Sequence, residues 1–349
     1  MMTFSLCMIV KNEEAVLARC LDSIRDIMDE IIIVDTGSSD RTKEIASKYT
    51  DRIYDFPWID DFAAARNFAF SKASGDYIYS ADADELIDEE NREKFKILKD
   101  ALLPEIDIVQ MIYTNQLQYN TTYNYDKELR PKLYRRLRTF VWEDPLHESV
   151  RLSPLIYDSD IEIQHLPTSP HQGRDFQLLQ KVIKKDGILS DKLHRMYCRE
   201  LFIAGSDRDF LEAEPYFSST LDRHDDMELL LMDACVLIKC ARLRDDAEAL
   251  LYSSAKALAS GKAPSEAVFE LGEFYRARKN YREAIMWYYN AAFETESLLN
   301  RHYHESFPLI GLHISYVILG DLDNASKYRD MYSSSRQGSG LTNSKKASL

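Results

Sequence analysis

The sequence predicts an α/β domain with Rossmann-like layering, followed by an all-α domain of helical repeats. Three observations carry this. Short β-branched runs alternate with helical stretches up to about residue 90, strand-like runs vanish after about Asp175, and a helix–turn–helix pattern recurs in the second half.

Phe4-Ser5-Leu6-Cys7-Met8-Ile9-Val10 is a short apolar run. From Glu13 to Asp29 the chain then places Val16, Leu17, Cys20, Leu21, Ile24 and Ile27 at helical spacing. Glu30-Ile31-Ile32-Ile33-Val34-Asp35 is too short for a helix and rich in branched residues, as suits a strand buried on both faces of a parallel sheet. Thr36-Gly37-Ser38-Ser39-Asp40 supplies a tight turn and candidate caps for a helix from Thr42 to Tyr49. Arg52 to Phe56 is predicted as a third strand, Phe62 to Ser71 as a helix and Asp76 to Ser80 as a fourth strand.

The chain has 349 residues, 45% hydrophobic and 29% charged, enough for about two domains. The predicted boundaries are 1–170 for the α/β domain, 171–332 for the helical domain and 333–349 for a disordered, Ser/Gly/Lys-rich tail, with Pro167 to Gly173 as linker. A formal charge of −14 opposes binding to nucleic acid or to an anionic membrane surface. Without an apolar stretch near the roughly 20 residues of a membrane span, or a basic leader, the expected compartment is the cytoplasm. Five cysteines without CxxC or His-rich spacing are expected as thiols, with no zinc signature.

In a doubly wound sheet, ligands bind beyond the carboxyl ends of the strands. Polar groups gather at that edge: Lys11-Asn12-Glu13 after strand one, Asp35 ending strand two, Arg66 and Asn67 on the next helix, and Asp82 and Asp84 after strand four. Period-two alternation would let Asp82 and Asp84 converge on one face, where hard oxygen ligands suit Mn²⁺ or Mg²⁺. A cationic run, Arg130, Lys132, Arg135, Arg136 and Arg138, reads either as a solvated loop or as a phosphate-facing cluster.

VKNEE, IIIVDTGSSDRT, FAAARNFA and GDYIYSADADE, in this order over residues 5–90, resemble the family 2 glycosyltransferases of the GT-A fold. The resemblance implies that Val10, Asn12, Glu13 and Asp35 touch the nucleobase and ribose of a nucleotide sugar. It further implies that Asp82 meets ribose or sugar, Asp84 the metal and Arg66 the diphosphate. RPKLYRR followed by VWEDPLHESV resembles a second block of such enzymes that carry a helical extension. It implies His147 as a metal or phosphate ligand beside Asp84, and Arg135 is expected on the nucleotide sugar. An inverting transfer needs a base near His147, for which Glu148 and then Asp144 are the candidates. Asp144 stands where such relatives often have Gly.

In the second half, Leu271-Gly272-Glu273-Phe274-Tyr275, Asn280 to Ala284 and Trp287-Tyr288 resemble a tetratricopeptide repeat. Weaker copies align on Ala213, Ala247, Ala284 and Ala325, giving about four helical pairs, and the aromatic stripe is expected to pack between helices. The whole layout is similar to sublancin-type peptide glycosyltransferases. The expectation is a metal-dependent inverting hexosyltransferase that uses a nucleotide sugar, with a UDP-sugar preferred. The acceptor is a polypeptide side chain (Ser, Thr or Cys) or a glycan of the cell surface, and the repeats recognise the acceptor or form a homodimer. The competing expectations are a non-catalytic repeat scaffold with a relic nucleotide site and a nucleotidyltransferase. The latter lacks a Gly-rich phosphate loop after strand one.

Overall fold

A computed structural model describes residues 2–115, 127–136, 142–143, 149–150, 154–166 and 172–341. The chain divides into two compact units, Met1–Leu178 and Leu179–Leu349.

The first unit is a mixed sheet with helices on both faces. Its strands are β1 (Phe4–Val10), β2 (Glu30–Asp35), β3 (Ile53–Asp55), β4 (Tyr77–Ala81), β5 (Glu85–Leu86), β6 (Ile108–Thr114), β7 (Glu128–Arg135) and β10 (Ile156–His165), in the order β3-β2-β1-β4-β7-β6-β10-β5. A two-stranded ribbon pairs β8 (Trp142–Glu143) with β9 (Ser149–Val150). The first four strands are mutually parallel, and β7 runs antiparallel between β4 and β6. Alternation along β1 explains the two-sided core. Phe4, Leu6, Met8 and Val10 join one cluster with α1 (Leu17–Ile24), α2 (Thr42–Ala46) and α4 (Glu89–Ala101), whereas Cys7 joins another with α3 (Phe62–Phe70).

The first two helices are shorter than the expected 13–29 and 42–49. Val16 and Ile27 are still buried, in turns flanking α1. Helix α3 begins at Asp61, whose carboxylate accepts from Ala64 N at 2.9 Å, and its Ala63, Ala65 and Ala69 are buried. Small side chains let α3 lie close enough for the Cys7 thiol to reach Ala69 O at 3.5 Å.

The second unit contains α6 (Asp191–Ala204), α7 (Asp207–Thr220), α8 (Met227–Leu243), α9 (Ala247–Ala259), α10 (Ser265–Ala277), α11 (Tyr281–Phe293), α12 (His302–Glu305), α13 (Phe307–Leu319) and α14 (Leu322–Leu341), while α5 (Gln172–Asp186) crosses from the first unit. The helices α7, α9, α11 and α14 are the second members of pairs, and each opens with a polar side chain accepting a backbone N–H: Ser206, Asp246, Asn280 and Asp321. Ala284 and Ala325 occupy the fourth position of their helices and are buried, but Ala247 is an exposed first residue, with buried Leu250 in the fourth place. The copies therefore align by their caps rather than by the four alanines.

Tyr288 is fully buried between two glycines. A Cβ on Gly272 of α10 would lie 2.6 Å from its ring, and one on Gly311 of α13 2.7 Å, so both helices depend on glycine for their approach. The expected tail from 333 begins as helix instead. Ser333 and Ser334 return their hydroxyls to Arg329 O and Asp330 O at 2.9 Å, which lets serine continue a helix, and α14 runs to Leu341. Residues 342–349 lie outside the described residues.

Candidate functional site

The register of the parallel strands builds one edge. Val10 of β1 lies opposite Asp35 of β2, and β4 ends at Ala81 beside them, so three carboxyl ends share the edge. The loops leaving β1 and β2 are knotted together. Asn12, in the left-handed region at φ 56°, accepts from Ser39 N at 2.8 Å and donates its own N–H to Ser38 Oγ at 2.9 Å. Glu13 N donates to Thr42 Oγ1 at 2.7 Å, and Val10 O accepts from both Thr36 N and Thr36 Oγ1.

Asp35 is 2% exposed. One carboxylate oxygen accepts from Gly37 N at 3.0 Å and Ser38 N at 2.9 Å, while the other is buried without a partner among the described residues. A buried acceptor with no donor is costly, and a hydroxyl or N–H of a ligand is what would satisfy it.

The two neighbouring aspartates do not share a strand face as alternation suggested. Strand β4 ends at Ala81, and Glu85 N donates to Asp82 O at 3.2 Å, so residues 82–85 form a turn that sends the carboxylates to different partners. Asp82 lies 3.7 Å from Arg66 Nη2, and Arg66 Nη1 donates to Ser80 Oγ at 2.5 Å. Asp84 Oδ2 lies 3.0 Å from His165 Nε2 at the end of β10. Burial raises the Asp82 carboxyl, but Lys132, Arg66 and Arg130 outweigh it and hold the group below the usual carboxylate range; its side chain is 46% exposed.

Beneath the turn, Lys132 Nζ donates to Glu85 Oε1 at 2.6 Å, with both side chains buried. Burial pushes the Glu85 carboxyl up to about 7 against the pull of Lys132. Arg130, Lys132 and Arg135 of the cationic run thus lie on strand β7 rather than in a loop, Arg138 lies outside the described residues, and the strand's direction decides which charges reach the site. Because β7 is antiparallel to β4, Arg130 and Lys132 come to the aspartate end. Arg135 pairs in register with Tyr77 at the other end and sits 3.8 Å from Asp107. Arg135 is therefore not brought to the edge where it was expected.

Asp144, His147 and Glu148 lie outside the described residues. His165 and Lys132 are the site residues that sequence reasoning did not assign. The only local signal for Lys132 was its alternation with Arg130, and His165 is 81 positions from Asp84.

Residues 5–152 match the family described as Glycosyl transferase family 2. Over 258 residues the chain is 26% identical to the SPbeta prophage-derived glycosyltransferase SunS of Bacillus subtilis, covering 68% of this chain and 58% of that one. An uncharacterized glycosyltransferase of Rickettsia typhi is 34% identical over 98 residues, 28% of this chain and 33% of its own length. A TPR repeat-containing protein of Synechococcus elongatus is 52% identical over 81 residues, 23% of this chain and 20% of its own. The chain thus spans between a fifth and under three-fifths of these relatives. Among solved structures, glucosyl-3-phosphoglycerate synthase from Mycobacterium tuberculosis, in complex with Mn²⁺ and UDP-glucose, aligns with TM-score 0.39 and 15% identity over 54% of this chain and 81% of that one. A likeness so shallow carries no argument.

Proposed function

We propose that the family 2 glycosyl transferase domain of residues 5–152 transfers a hexose from a nucleotide sugar, with a UDP-sugar as the first donor to test, to an acceptor with inversion. The observation that carries this reading is the meeting of Arg66, Asp82, Asp84 and His165 at the carboxyl edge of parallel strands, the edge that also carries the Asp35 oxygen with no partner among the described residues. Asp35 is suited to accept from the base or ribose, and the knotted Val10–Glu13 loop forms the floor beside it. Arg66, steadied by Ser80, is suited to the diphosphate.

Carboxylates with one imidazole form a donor set that fits Mn²⁺ or Mg²⁺, so Asp84 and His165 would hold the ion, with Asp82 turned to the ribose or sugar. When bound, such a cation neutralises charge on the departing diphosphate. His147 remains a further ligand candidate, and Glu148 or Asp144 the base that takes the acceptor proton. The helical pairs of the second unit are the candidate for binding the acceptor, since arrays of such pairs generally offer extended surfaces that suit a polypeptide. Surface glycan is the competing acceptor class, and the cytoplasm is the compartment proposed. Among the described residues no helix is long and apolar enough to cross a membrane.

The test is nucleotide release from UDP-, GDP- and dTDP-sugars with Mn²⁺, Mg²⁺ or chelator, with Asp84→Ala as control. Metal-dependent release from one donor, lost in the variant, is the expected result. Absence of both nucleotide release and a donor-induced thermal shift would transfer the case to the repeat scaffold.

A further inference from the structure

The second unit holds a buried cluster that sugar transfer does not use. His194 on α6, His224 between α7 and α8, and Asp233 on α8 bring ligand atoms within 4.8 Å of one another. His194 Nε2 lies 2.5 Å from Asp233 Oδ1, and His224 Nε2 lies 3.1 Å from Asp233 Oδ2. The side chains of Asp233, His194 and His224 are 0%, 2% and 11% exposed.

A buried carboxylate needs positive charge beside it. Among the described residues no lysine or arginine forms an ion pair with Asp233, and its ion-pair partners are the two imidazoles. A cation bound among the three groups would supply that charge. The surroundings favour the cation. His194 Nδ1 is 2.9 Å from the Tyr216 hydroxyl, which accepts from Leu189 N at 3.3 Å, and Thr220 Oγ1 donates to Asp233 Oδ2 at 2.7 Å. Outer hydrogen bonds of this kind fix the tautomer and aim of metal ligands. The two rings meet at 75° rather than stacking, and each Nε2 meets a different oxygen of the carboxylate.

We propose that His194, His224 and Asp233 form a structural site for a divalent transition metal of the zinc class, joining α6, the α7–α8 turn and α8. Two imidazoles and a carboxylate are a zinc-type donor set, with water as fourth ligand. The ion takes the Nε2 lone pair of each neutral ring, whose one proton then sits on Nδ1, where that of His194 can donate to Tyr216. Tetrahedral ligand atoms sit about 3.4 Å apart, so the 2.5 Å contact between His194 and Asp233 opens by roughly an ångström as the ion takes the place of the hydrogen bond. No spacing motif reveals such a site, because Asp233 lies 39 positions from His194 and 9 from His224.

The test uses the full chain carrying Asp84→Ala, so that the sheet-edge carboxylate takes no part. After chelation and dialysis it is titrated with ZnCl₂ and, separately, with Co²⁺. The expected result is one bound equivalent, a raised melting temperature and visible Co²⁺ absorption of tetrahedral type. Asp233→Asn preserves shape and most hydrogen bonds, and His224→Gln alters the most exposed ligand; each should weaken zinc about tenfold or more while circular dichroism stays unchanged. No equivalent in the Asp84→Ala chain, or an undiminished one in either folded variant, overturns the site and leaves a hydrogen-bonded latch.

Discussion

Asp84 Oδ2 stands 3.0 Å from His165 Nε2, although Asp84 lies in the turn just before β5 and His165 ends β10, which runs antiparallel to β5. Pairing of β5 with β10 puts His165 opposite Glu85, and Leu166 N donates to Asp84 O at 2.9 Å, so the backbone fixes the approach. His165→Ala and Asp84→Ala should each lower metal-dependent nucleotide release by about a hundredfold or more, on the scale of losing one electrostatic stabiliser. Steady-state kinetics across a Mn²⁺ series checks this, and near-native turnover in His165→Ala would remove the histidine from the site.

Arg66 is held at Ser80 and near Asp82. Arg66→Lys keeps the charge but loses the planar fork that can grip Ser80 and a phosphate together, so it should fall short of wild type by roughly tenfold or more. Measuring kcat and KM separately tells where the loss lies. An unchanged kcat with a raised KM would assign Arg66 to ground-state binding alone.

Lys132 and Glu85 are a buried pair under the aspartate turn. Lys132→Met strands the Glu85 carboxylate and should cost about 3–5 kcal/mol, whereas Lys132→Met with Glu85→Leu should recover much of it. Denaturant unfolding of single and double variants decides the point.

Glycine at 272 and 311 lets Tyr288 fill the space between α10 and α13. Gly272→Ala or Gly311→Ala should cost about 1–3 kcal/mol through overpacking. Because the two alanines would press the same ring, the losses in the double variant should not add; additivity in chemical denaturation would show that the ring accommodates them independently.

Asp76 ties the start of β4 to β1. Its carboxylate accepts from Thr3 N and Thr3 Oγ1, both at 2.9 Å, and these bonds hold it below its ordinary 3.8. A depressed carboxylate contributes stability above the unfolded pKa and loses it as pH falls through the folded one. Asp76→Asn should therefore lower stability by roughly 1 kcal/mol at neutral pH and converge with wild type in strong acid. Parallel curves down to pH 2 would contradict the linkage.

The first four strands were legible because a two-faced buried strand must be a short apolar run, as Ile31-Ile32-Ile33-Val34 is. Strand β7 was not, since Glu128 to Arg135 is mostly polar and owes its place to Leu133 and Tyr134 against neighbours. Without its direction, Arg135 looked equivalent to Arg130. Asp82 and Asp84 were visible as a pair, but the turn that parts them depends on one backbone hydrogen bond. His165 carried no local pattern, because a partner across antiparallel strands is set by topology rather than by spacing. The helical pairs were evident from the repeat-like pattern between Leu271 and Tyr288, whereas alanine spacing misplaced Ala247, and the caps that align the copies emerged only in the structure.

The knot between the loops after β1 and β2 bears on how quickly the edge can accept a ligand. With Asn12 clasping Ser38 and Ser39, and Thr42 holding Glu13, those turns are ordered by folding itself. An arriving nucleotide then meets a finished surface on this side and loses less affinity to ordering the loops. Loosening the clasp with Asn12→Gly would shift that loss to the moment of encounter, showing itself as slower capture with little change in the bound state.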